Sequence, residues 1–304
     1  SRKGPDLTPA DRDSLNRTFT PLIQQGQSIH HICANNPDLL TRSERTIYNY
    51  VDANVIDAIN LDMPRKVRMR PRHKKAGHYY KVDKACRKGR EYEDFLKFRT
   101  DHPDYPVTEI DSVEGIKGGA VLLTIHLVLP DLQLAFKREC NDAASVNAVF
   151  DRLYDALGPD DYKKIFPLIL ADNGTEFSDP LKIEFDKDGN RRSYLFYCQP
   201  NAPYQKPHAE HNHSFIRRFI PKGKDIGKYN PAQIDLMMNH INSYSRPMLG
   251  DKSPYEMFEF MYGNDPIKKL GLIKIPANEI ILSPKLFTMD TGPTTFPKES
   301  TPYS

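Results

Sequence analysis

The chain has 304 residues, 38% hydrophobic and 27% charged, which is enough for a buried core and, at roughly 150 residues per domain, for about two domains. No signal-peptide pattern opens it, its longest apolar run (120–129) is broken by Thr124 and His126, and Cys33, Cys86, Cys140 and Cys198 lie more than fifty residues apart. A membrane span of roughly 20 residues and a secreted disulfide scaffold are thereby excluded, and a cytoplasmic chain with reduced thiols is expected. The formal net charge of +3 hides an asymmetry: residues 65–90 carry +11, leaving −8 on the rest. A basic block on an acidic chain points to a polyanionic partner.

The first residue is Ser1 rather than Met, as expected of a processed or shortened chain. Thr8-Pro9 starts a helix whose Leu15, Phe19, Leu22 and Ile23 recur at helical spacing up to Gly26. Ser28 can cap a second helix, Asn35-Asn36-Pro37 makes a turn, and Ser43 can cap a third. Such an arrangement fits a helix-turn-helix over 1–63, with Arg42, Ser43, Arg45, Thr46 and Asn49 of the third helix near base edges in a major groove. It fits an ordinary three-helix bundle equally well on composition alone. The basic block decides in favour of DNA. Within the connector expected over 64–103, Arg65, Arg68, Arg70 and Arg72 alternate with Val67, Met69 and Pro71, and Lys66, Lys74 and Lys75 add charge. An extended arm of this kind neutralises phosphates and releases counterions.

The period then changes. Strands are predicted over 107–113, 120–128 and 132–137, separated by Gly118-Gly119 and Pro130-Asp131, then a helix over 143–157 ending at Gly158-Pro159. Further strands follow at 167–172 and 193–198, and helices at about 208–220, 231–244 and 253–261. The order β-β-β-α-β-β-α-α predicts an α/β domain with a mixed sheet over 104–263. Residues 264–304 read as a loop-rich tail with one apolar run at 279–282.

Three carboxylates fall where such a fold would gather them. Asp111 lies within a strand, Asp172 ends an apolar strand, and Glu210 stands early in a helix with Phe215, Ile216 and Phe219 on its opposite face. Carboxylates suit Mg²⁺, a hard cation that takes oxygen ligands. Two such ions roughly 3.5–4 Å apart serve the attacking and leaving oxygens of a phosphodiester. Taken singly, Asp172-Asn173-Gly174 reads as a tight turn, Asp111 as an exposed strand residue and Glu210 as a helix-start acid. Their joint spacing is the signal. His208, His211 and His213 flank Glu210 without an HExxH pattern, so contact with phosphate or with the carboxylates is the preferred reading over zinc.

Asp111-Ser-Val-Glu-Gly, Ala171-Asp-Asn-Gly-Thr-Glu-Phe177 and Ala209-Glu-His-Asn-His-Ser-Phe-Ile-Arg217 followed by Phe219-Ile-Pro-Lys-Gly-Lys-Asp225 resemble the DDE transposases of the insertion-sequence IS-thirty family. Asn242-Ser-Tyr and Lys252-Ser-Pro-Tyr-Glu-Met257 are also similar to that family's closing helices. The resemblance implies a ribonuclease H-like, retroviral-integrase-like catalytic domain preceded by an all-α helix-turn-helix domain. It implies Asp111, Asp172 and Glu210 as a metal-binding triad for two Mg²⁺ ions, with Mn²⁺ as a substitute, and Arg217 as the basic residue two turns after the Glu. His213 and Arg217 would then contact DNA. It further implies double-stranded DNA partners (terminal inverted repeats and target), a homodimer or higher assembly, and a bacterial, nucleoid-associated location. The sequence departs from the family in Pro207-His-Ala-Glu-His211, where Gly and Asn usually precede the Glu and Asn follows it, and in a charged insert at 185–192. The family's additional N-terminal DNA-binding segment is not found, in keeping with a shortened start. A nuclease of the same fold and a catalytically inactive DNA-binding regulator remain open at this point.

Overall fold

In a computed structural model, residues 7–39, 42–64, 85–200 and 202–288 are described. The basic positions Arg65, Lys66, Arg68, Arg70, Arg72, Lys74 and Lys75 lie outside them.

Three helices form at the N-terminal end, each started by a side chain suited to the task. Thr8 and Asp11 make a reciprocal cap on α1 (Pro9–Gln24), Ser28 accepts from the His31 amide of α2 (Ile29–Asn35), and Ser43 accepts from the Thr46 amide of α3 (Glu44–Asp52). Their apolar faces close on a small core of Leu15, Phe19, Ile23, Ile32, Ile47 and Val51.

These helices also dock on the rest of the chain. Gln27, wholly buried, donates to the carbonyls of Ala277 and Ile280, and the Leu282 amide donates to Gln25. The Tyr244 hydroxyl donates to Ser28, and its ring stacks on His31 with centroids 4.3 Å apart. Gly26, at φ +88°, is needed here because a Cβ would meet the Leu282 carbonyl at 2.9 Å. His30 reaches Asp251 at 2.7 Å and Glu44 at 3.0 Å. The bond to Asp251 raises its pKa above the ordinary value. A raised histidine pKa contributes stability that is complete below the unfolded value and fades as pH rises through the folded one. The difference in thermal stability between wild type and His30→Gln is therefore expected to shrink between pH 6 and pH 9; a difference that is constant or grows would rule out a protonated His30 as the link.

The larger part of the chain is built on a five-stranded mixed sheet in the order β3-β2-β1-β4-β5. β1 (Val107–Glu114), β2 (Val121–Leu127) and β3 (Leu132–Arg138) form an antiparallel meander, while β4 (Leu168–Ala171) and β5 (Tyr194–Tyr197) run parallel to β1. This is the mixed sheet of an α/β fold, as the order of predicted elements implied. Helix α5 (Ala143–Leu157) starts on Asp142, ends at Gly158 with φ +79°, and packs Val146, Phe150 and Leu153 against Ile110, Leu123 and Ile169. The opposite face carries α8 (Pro207–Phe219) and α9 (Pro231–Ser243), where Phe215, Ile216, Phe219 and Met237 meet Val113 and Leu122. Each such buried side chain is worth about 1.5–3 kcal/mol.

Two segments are more structured than their sequence suggested. Within the expected connector, α4 (Tyr92–Asp101) lays Phe95 on Leu168, Leu170 and Phe196. In the expected tail, Asn264–Lys269 forms a helix, and Ile280, Ile281, Leu282 and Leu286 are buried beneath α8 and α9. The charged insert folds into a tight hairpin-like turn: Asp186 accepts from the amides of Asp188 and Asn190, and Phe185 bridges Arg191. No helix among the described residues is long and apolar enough to cross a membrane.

Candidate active site

Strand register brings the first two acids together. Ile110 of β1 pairs with Ala171 of the parallel β4. Each aspartate is the next residue along its strand, so alternation turns Asp111 and Asp172 to the same face, side by side. That face is the one α8 covers. Glu210 is the fourth residue of this helix, and position 210 shares a helix face with His213 and Arg217, three and seven residues on.

The local geometry holds both aspartates. Asp172 Oδ1 accepts from the Gly174 amide at 2.8 Å, an Asx turn rather than the type I′ turn that Asn-Gly favours. Asn173 is gripped from both sides, its amide donating to the Cys198 carbonyl and its own carbonyl accepting from Arg87 at 2.8 Å. Asp111 Oδ1 accepts from the Ser112 amide at 2.7 Å. Burial raises the Asp172 carboxyl above the usual range; the charge of Lys206 opposes this and that of Asp111 adds to it. Beyond Asp111, Gly115 of the first motif is required by close approach, since a Cβ there would collide with the Lys224 carbonyl.

His213 and Arg217 extend the site along α8. The Thr124 hydroxyl donates to the Asp111 carbonyl at 3.1 Å, so it accepts from His213 Nε2, 2.9 Å away, which fixes the proton on that nitrogen. Burial lowers the His213 pKa. Arg217 Nη2 donates to the Glu114 carbonyl at 2.9 Å, and its buried Nη1 has no partner among the described residues.

Residues not anticipated also line this region. Lys206, 6% exposed, donates to the Ile110 carbonyl at 2.9 Å and to Asp111 Oδ2 at 3.2 Å. Glu176 is a further buried acid close enough to raise Asp172. Thr124 could have been found: it and His126 interrupt an apolar strand at alternate positions, which places both on one face. Nothing about Lys206 marks it beyond its place just before a helix.

A neighbouring cluster has metal-ligand chemistry. His126, Asp131 and His208 offer ligand atoms within 4.8 Å of one another. Asp131 is already paired with Arg246 Nε at 3.1 Å and accepts from Asn212 at 2.9 Å, while Asn212 also donates to His126 Nδ1. This is an ion-paired network joining α8 to the β2–β3 turn. In the N-terminal helices, Arg42, Arg45 and Asn49 are exposed, whereas the Ser43 and Thr46 hydroxyls bond each other at 2.9 Å at the start of α3.

No family model matches the sequence. A probable transposase for the insertion-like sequence element IS1161 of Streptococcus salivarius is 26% identical over 260 residues, covering 81% of this chain and 69% of that protein. A putative integrase of Spiroplasma virus SpV1-R8A2 B is 30% identical over 150 residues, 49% of this chain and 44% of its own length. The transposase InsI of IS30A from Escherichia coli K12 is 29% identical over 65 residues, 21% of this chain and 17% of its own length. Among solved structures, the catalytic core domain of BIV integrase aligns with a TM-score of 0.35 at 15% identity, over 51% of this chain and 93% of that domain. Its sequence relatives are thus insertion-sequence transposases, that of an IS30 element among them, and the chain is similar to them.

Proposed function

We propose that the chain cuts and joins DNA: it nicks the ends of a mobile element and transfers the freed 3′-OH into target DNA, using Asp111, Asp172 and Glu210 to hold divalent metal. The observation that carries this reading is the register of β1 on β4, which sets two aspartates side by side beneath the helix that bears Glu210. The donor set fits a hard cation, since Asp111 and Asp172 offer carboxylate oxygens, and an ammonium already lies 3.2 Å from one of them. When bound, Mg²⁺ or Mn²⁺ would supply charge stabilisation for the attacking and leaving oxygens of phosphoryl transfer.

The chain's own residues position and bind. Arg217, with one guanidinium nitrogen unpartnered among the described residues, is placed to hold a DNA phosphate beside the acids. His213 donates from Nε2 to the Thr124 hydroxyl, which in turn donates to the Asp111 carbonyl, so it braces the strand that carries Asp111 beside the DNA path. Arg45 and Asn49 on the exposed side of α3, with the exposed Arg42 just before it, are suited to reading terminal inverted repeats, and the +11 charge of residues 65–90 to gripping the backbone. Two DNA ends must be joined together, which calls for a dimer or higher assembly.

A precut duplex end ending in a free 3′-OH, incubated with Mg²⁺ and plasmid target, tests the reading. Joined products are expected. Cleavage of uncut ends with no joining under any of these conditions would make the protein a nuclease instead.

A further inference from the structure

Lys206 is the last residue before α8, and it is almost wholly buried at 6% exposure. Buried lysines are rare unless paired. Here the ammonium has two partners, the Ile110 carbonyl at 2.9 Å and Asp111 Oδ2 at 3.2 Å. Its charge also bears on Asp172, where it opposes the rise caused by burial. Near this cation stand the half-buried Asp111 and Asp172, with the buried Glu176 close to Asp172 and also facing Arg138, acids that repel one another.

We infer that Lys206 is the resident counter-ion of the aspartate pair, holding the charge position that a divalent ion must take, so that ion loading requires its ammonium to leave Asp111. This rests on the reading of Asp111 and Asp172 as metal ligands. A divalent ion bound to the same carboxylates would lie within a few ångströms of the ammonium. Like charges at that range weaken binding by about tenfold or more even under strong screening. The four-carbon stem lets the ammonium swing without moving the backbone. A DNA phosphate arriving at the site gives it somewhere to go, which couples metal loading to DNA.

The test is Mn²⁺ binding to the full chain, followed by the electron paramagnetic resonance signal of free Mn²⁺, with and without a DNA duplex. Without DNA, Lys206→Met, which keeps the stem and removes the charge, is expected to bind Mn²⁺ about tenfold more tightly than wild type. Lys206→Arg is expected to stay near wild type. Addition of duplex should tighten Mn²⁺ binding in wild type and leave Lys206→Met nearly unchanged. Equal or weaker Mn²⁺ binding by a folded Lys206→Met chain would overturn the proposal. If that variant does not fold, a crystal structure of the wild-type chain with Mn²⁺ decides: the ammonium should have left Asp111, and an ion bound with the ammonium still in place would overturn it. Asp111→Asn and Asp172→Asn separate the two levels. Unaltered Mn²⁺ binding in both would remove the metal site itself, whatever Lys206 does.

Discussion

Asp172→Asn is expected to lower Mg²⁺-dependent nicking of an element end by roughly a thousandfold, as loss of several kcal/mol of metal-borne stabilisation implies, while DNA binding stays within about twofold. The substitution is nearly isosteric. Its amide oxygen can still accept from the Gly174 amide, so the turn that carries Asn173 and Gly174 survives. What disappears is the negative charge. That charge is costly to the fold, because burial raises the Asp172 pKa and so favours its neutral form in the native state. With a raised acid pKa, the native state binds its proton more readily than the unfolded chain does, so the ionised form costs stability near neutral pH and the amide relieves it. The variant should therefore melt at or above the wild-type temperature while losing activity, a combination that a merely structural aspartate would not produce. Nicking of a labelled duplex, a gel-shift titration and a thermal melt on the same preparation check it. Wild-type nicking by the variant would take Asp172 out of the site.

Alternation and strand order made much of this site readable. Val107 to Glu114, the apolar β2 and the Ile169–Ala171 run each announce a strand, and the parallel pairing of β1 with β4 follows from the α5 crossover between them. The same alternation places Asp111, Asp172 and Thr124 on one face. Lys206 was not readable, because its ammonium is fixed by a carbonyl of β1, 96 residues away in sequence. Phe95 and Phe98 do recur on one side of α4, yet the charged stretch before them made the region look like a connector, and only the surface of β4 and β5 explains why the helix packs there. The run 279–282 was visible as apolar, but its partners are α8, α9 and, through Gln25 and Gln27, the N-terminal helices. Such contacts depend on tertiary closure, which no local period encodes.

Asp131→Ala is expected to destabilise the chain by about 3–5 kcal/mol, a fall in melting temperature of roughly 10 °C. Asp131 is 2% exposed in the β2–β3 turn, at φ +53°, and Arg246, three residues beyond α9, is 3% exposed. Burial pushes the His126 pKa down to about 3, so that ring is neutral and Arg246 is the cation that balances Asp131. Removing the carboxylate takes from the buried guanidinium the Asp131 pair it holds at 3.1 Å and deprives Asn212 of an acceptor. Two further variants separate causes. Asp131→Asn tolerates the left-handed backbone and keeps hydrogen bonding, so full recovery in that variant would assign the loss to turn strain and not to charge. Asp131→Asn combined with Arg246→Met removes both charges and is expected to regain more than half of the loss, since replacing a buried pair outright costs less than orphaning one member. Because Asn212 lies two residues beyond position 210 on α8, the damaged network should also loosen the helix that carries Glu210. Amide exchange across 207–219 is expected to quicken in Asp131→Ala at temperatures well below its melt, and unchanged exchange there would confine the network's role to the turn.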